Sequence, residues 1–141
     1  MAAFNKFNAF VADLAHKVHN LNTAADVLKA MLVNSPAPVA ANSVKADLTE
    51  ITAANGYAAG GSASTITGSS QASGTLTVTP TDVVITAAGG TIGPFRYPVA
   101  YNDTPVSPAD PLIAWYDYGS SITLNDTETF TIDLTNLFTL A

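Results

Sequence analysis

Between Ile92 and Leu140 apolar and polar residues trade places at a period of two. Ser121-Ile122-Thr123-Leu124 leads to a turn at Asn125-Asp126-Thr127, and Phe130-Thr131-Ile132-Asp133-Leu134 follows. That period places alternate side chains on opposite faces of a strand, and two such runs joined by an Asn/Asp turn predict a hairpin. Upstream, Leu76-Thr77-Val78 and Val83-Val84-Ile85-Thr86 around Pro80-Thr81-Asp82 predict a second hairpin. Leu112 to Tyr118 is a strand rich in aromatics, which suit a half-buried pleated surface. Phe95 to Tyr101 contains Pro98, which restricts it to a sheet edge or a bulge. Asp26 to Val33 reads as a buried strand, with a helix as the competing assignment. Six or seven strands with short connections predict an antiparallel β-sandwich or barrel-like domain.

The first twenty residues follow another rule. Phe4, Phe7, Phe10, Val11, Leu14 and Val18 recur at steps of three and four, the spacing of one stripe on an amphipathic helix running roughly from residue 3 to residue 20. Asn20-Leu21-Asn22 ends it, giving a helical arm over 1–22 and a β domain over 23–141, a single globular domain overall. The stripe must be buried, on the chain's own sheet or on a neighbouring subunit. Its nearness to the terminus makes the second the expectation, with Phe4, Phe7, Phe10, Val11 and Leu14 as partner-binding residues. Asn34-Ser35-Pro36-Ala37-Pro38 breaks the pattern because proline lacks a donor and restricts its predecessor. Ser43 to Ile51 has a serine cap and acids enough for one or two helical turns. Ser62 to Ser73 is small and polar, the composition of an exposed edge or a mobile loop.

Composition narrows the function classes. With 141 residues, no cysteine and 48% hydrophobic residues, the chain is long enough to hold a core without disulfides or thiolate metal sites. Only 11% of residues are charged, a profile common in extracellular and virion β proteins. No apolar run approaches the roughly 18 residues that span a bilayer, and Asn5, Lys6, Asn8 and Asp13 interrupt any signal-peptide core. No membrane partner is expected. The net charge is −6, all four lysines (Lys6, Lys17, Lys29, Lys45) lie in the first third, and only Arg96 follows them. The acidic second half would repel phosphate backbones, so no nucleic-acid partner is expected.

Candidate chemistry is sparse. Asp13, His16 and His19 lie at steps of three on the predicted helix, a conceivable divalent-metal set, although the familiar helical zinc motif uses a four-residue step. Polar-face histidines on a docked helix are the plainer reading. Asp103, Asp110, Asp117 and the Asn125-Asp126-Thr127-Glu128 turn offer oxygen ligands for calcium without EF-hand spacing, and solvated turn carboxylates are the default. Gly56 to Gly61 lacks the Lys-Ser or Lys-Thr of a phosphate loop. Both histidines lie far in sequence from the strand ends, where a β-rich hydrolase would assemble a nucleophile and base. The expectation is a non-enzyme with no cofactor and no metal.

The Phe4/Phe7/Phe10 helix, the run Ala46-Asp47-Leu48-Thr49-Glu50-Ile51 into Asn55-Gly56-Tyr57-Ala58-Ala59-Gly60-Gly61, and the closing Trp115-Tyr116-Asp117-Tyr118-Gly119-Ser120-Ser121-Ile122 and Phe130 to Leu134 strands together resemble small structural virion proteins of tailed bacteriophages. The resemblance spans nearly the whole chain without a chemically specific motif. It implies a decoration or cement protein on the capsid surface, with the major capsid protein or sister copies as partners in a homo-oligomer. The alternative from another class is a receptor- or glycan-binding module of a tail or fibre, using Tyr97, Tyr101 and Trp115.

Overall fold

Strand β2 (Val27–Val33) explains the architecture. Its run Val-Leu-Lys-Ala-Met-Leu-Val is apolar almost throughout, as expected of a strand covered on both faces. Leu28, Ala30 and Leu32 point into the larger hydrophobic core, and Met31 and Val33 into a smaller one. Lys29, the polar exception, pairs with Asp103 at 3.0 Å. The computed structural model describes residues 2–141, and strand outweighs helix by 46% to 8%. The mainly β reading stands.

Around β2 curls a seven-stranded antiparallel sheet. Its members are β1 (Ala3–Lys6), β2, β3 (Ser62–Ala72), β4 (Thr75–Pro80), β7 (Tyr97–Asn102), β8 (Leu112–Asp117) and β11 (Phe138–Leu140), in the order β1-β8-β7-β2-β3-β4-β11. Two ribbons share the larger core with it: β5 (Val83–Thr86) with β10 (Thr129–Ile132), and β6 (Ile92–Phe95) with β9 (Ile122–Leu124). The one α-helix among the described residues, α1 (Asn8–Ala15), follows β1 directly, and a single 3-10 turn covers Lys45–Asp47. Asp47 Oδ2 fixes that turn by accepting from the backbone N–H groups of Ser43 and Val44.

Several sequence expectations change. The helix does not run from residue 3 to 20: Ala3–Lys6 is a strand, paired from Ala3↔Asp117 to Lys6↔Ala114, and α1 keeps only eight residues. The segment assigned to a helical arm contributes β1, which is hydrogen-bonded into the sheet of the domain assigned to 23–141. Neither predicted hairpin forms. β4 pairs with β3 and β11, β5 with β10, and β9 with β6. Asn125-Asp126-Thr127 does form a turn, but Pro80-Thr81-Asp82 does not: Pro80 ends β4, and Thr81 N–H still bonds the Thr65 carbonyl of β3. Local alternation marks strands without naming their partners. Ser62 to Ser73 is neither edge nor loop; β3 lies between β2 and β4, with Ser64 and Ile66 inward and threonines outward. Ser64 Oγ bonds the Thr81 carbonyl, so a small polar residue fits a buried position. Pro98 lies in an interior strand. It sits opposite Leu32 of β2, while the registered pairing with β8 begins one residue later at Val99↔Trp115 and bulges between Ala100 and Tyr101.

Candidate functional site

The two strands that end the sheet, β1 and β11, both line one groove of about 1070 Å³. Phe4 and Lys6 of β1, Val11 and Leu14 of α1, Phe130 and Ile132 of β10, and Phe138 and Leu140 of β11 form its walls, with Tyr116 and Tyr118 from the β8 end. Aromatic contacts set the shape. Phe4 meets Tyr116 edge-on at 5.6 Å, Phe10 meets Phe138 at 5.1 Å, and Tyr118 meets Phe130 at 5.8 Å. Phe130 in turn packs on the buried Phe95 at 5.0 Å, tying the groove to the core. Burial, then Asp133 and Asp82, pushes the Tyr116 hydroxyl up to about 12. Its phenol stays neutral over the physiological range.

Comparison with known proteins finds no match among family models, curated proteins or solved structures.

The predicted partner-binding residues divide. Phe4 and Val11 are 45% and 53% exposed and line the groove, with Leu14 half-buried beside them. Phe7 is fully buried in the chain's own smaller core, tilted on Trp115 at 4.5 Å, and Phe10 is buried in the larger one. Phe7 and Phe10 were expected on another chain, and here the chain itself covers them. The reason is the strand at residues 3–6. Extended backbone there turns Phe4 and Phe7 to different surroundings, where a continuous helix would have aligned them. Of the groove's other wall, the sequence marks Phe130 only as a strand residue and leaves Leu137, Phe138 and Leu140 unassigned; their signal is the short apolar run after Asn136.

The metal candidates do not converge. His16 is exposed beyond the end of α1, whereas His19 is buried against Asn102, with Nδ1 at 3.0 Å from Asn102 Nδ2. No group of three His, Cys, Asp or Glu side chains gathers among the described residues. Four of the candidate calcium carboxylates have separate tasks. Asp103 pairs with Lys29, Asp117 with Arg96 at 2.7 Å, Asp126 accepts from Gly89 N–H, and Glu128 accepts from Asn125 N–H. The Arg96 guanidinium holds the Asp117 carboxyl below its ordinary range.

The aromatics proposed for glycans are mostly unavailable. Tyr101 is fully buried and donates to the Gly60 carbonyl at 2.7 Å, Trp115 covers Phe7, and Tyr97 is half-buried with Arg96 over its ring at 5.2 Å. A network invisible in the sequence anchors this side. Tyr57 donates to Glu50 Oε1 at 2.6 Å and accepts from Leu32 N–H, while Gly60 N–H donates to the same Glu50 oxygen. The glycines beside it serve backbone packing: Gly61 has φ +74°, and a Cβ there would overlap the Ala30 carbonyl. Among the described residues no helix is long and apolar enough to cross a membrane.

Proposed function

We propose that this chain is a non-enzymatic structural protein of a virion, a decoration or cement protein whose terminal groove seats an apolar segment of the capsid lattice or of a sister copy. The observation that carries the reading is the clustering of exposed apolar side chains. Of the eight large hydrophobic residues exposed among the described residues, Phe4, Val11, Tyr118 and Leu140 all line this one groove. Contiguous exposed apolar surface with a polar rim marks interaction sites, whereas isolated exposed residues do not. Burial of that surface contributes on the order of 25 cal/mol per Å² before ordering costs. Many symmetry-related copies multiply a small energy per copy.

Quantitative gels and density maps of purified particles from the source of this chain test the reading. The expected result is a copy number matching the lattice, with density against the groove. A few copies at a tail or fibre would favour the receptor-binding alternative, and absence from particles would overturn the virion role.

A further inference from the structure

Asn102, the last residue of β7, is fully buried, and its side-chain amide is fixed in orientation. Its Nδ2 lies 2.6 Å from Asp26 Oδ2 and 3.0 Å from His19 Nδ1, and its Oδ1 accepts from Thr104 N–H at 3.1 Å. A carboxylate only accepts, so the NH₂ end must face Asp26 and the carbonyl end must take Thr104. His19 Nδ1 then receives the second amide hydrogen as a lone-pair acceptor, and the ring proton sits on Nε2. That atom is buried with no hydrogen-bond partner among the described residues. Adding a second proton would set an Nδ1–H against an N–H, and turning the amide would set its carbonyl against Asp26. The ring also packs edge-on against Phe10 at 5.1 Å, and Phe10 against Phe138 of the groove wall.

We propose that His19, Asn102 and Asp26 form an acid-sensitive latch that holds the segment between α1 and β2 against the end of β7, and that protonation of His19 opens it and loosens Phe10. The charged groups acting on the ring are Asp13 of α1 and Asp26 of the segment leading into β2; β7 offers the neutral Asn102, and the Lys29–Asp103 pair stands next along β2 and β7. Burial outweighs both carboxylates and holds the His19 pKa below its ordinary value. At neutral pH both folded and unfolded chains carry the neutral ring. Below about pH 6.5 the unfolded chain takes up the proton first, so stability falls from there down to the folded-state value. Past that value the proton enters the folded protein. The latch is built from this chain's own residues, whatever fills the groove.

Ring-nitrogen NMR and hydrogen exchange on the intact chain test this. Expected are an Nε2–H tautomer, a His19 midpoint below about 6.5, and exchange over residues 16–26 rising about tenfold by pH 5 relative to β2 and β7. His19→Gln should remove that acid-specific rise, and His16→Gln should retain it. An Nδ1–H tautomer, an ordinary midpoint, or an unchanged rise in His19→Gln would overturn the latch. Should His19→Gln fail to fold, the tautomer and midpoint of the native ring still decide.

Discussion

Phe7 and Phe4 are three residues apart and belong to two different regions. Phe7 lies in the spine formed by β2, β7 and β8, where side chains of both sheet faces are covered by the chain itself. Phe4 lies on the rim, where β1, α1, β10 and β11 converge on an open groove. The residue types are the same and only the covering differs. An apolar pattern in a sequence records that a surface is to be hidden, without recording whether the chain's own elements or another molecule hides it.

The largest expected effect separates the regions by stability. Phe7→Ala should cost about 3 to 5 kcal/mol as a large-to-small change in a closed core, measured by urea unfolding. Phe4→Ala should cost less than about 1 kcal/mol, as befits a partly exposed position. Equal losses would erase the distinction and place the groove within the folding core.

Alkaline titration sharpens the same contrast. Burial raises Tyr57, helped by Glu50, and Tyr101 above the ordinary tyrosine range, and lifts Tyr116 to about 12. Above about pH 10 the unfolded chain therefore loses protons that the folded chain keeps, and stability falls as pH rises toward those values. Phenolate absorbance and the urea midpoint should move together between pH 9 and about 12. Ionisation of these tyrosines at their ordinary value, with the midpoint unchanged, would show that water reaches the spine.

The smallest effect belongs to the Arg96–Asp117 pair, whose side chains are about one-third exposed (35% and 31%). Arg96→Ala should lower the melting temperature slightly, and less so in high salt, because exposed pairs are screened. The stability from the depressed Asp117 carboxyl is present above the ordinary carboxylate range and lost as pH falls through its lowered value. A large, salt-independent loss in Arg96→Ala would mean that the cation–π contact with Tyr97, rather than the ion pair, secures this corner.

How much was legible in the sequence follows the range of each interaction. Strand positions at Val27–Val33, Leu112–Asp117 and Ile122–Leu124 could be read because alternation or apolar runs are local. Pairing could not, because β4 and β5 are separated only by Thr81 and Asp82 yet join different partners. β3 was missed because serines, threonines and Gly68 carry little hydrophobic signal, although Ser64 is fully buried. For the candidate site, Phe4, Val11 and Leu14 were legible as apolar side chains in need of cover. The opposite wall comes from residues more than a hundred positions away, and no periodicity links them.

The pairing of Ala3 with Asp117 also dictates a timetable. A ribosome adding roughly 5 to 20 residues per second needs about 6 to 20 seconds to deliver β8 after β1 has been made. Throughout that interval the apolar face of β1 has no strand of its own chain to join. Sheets built from such distant pairings also fold slowly. On crowded polysomes the first strand is thus open to the same strand of a neighbouring nascent chain, and its correct mate arrives only after more than a hundred further residues have been added.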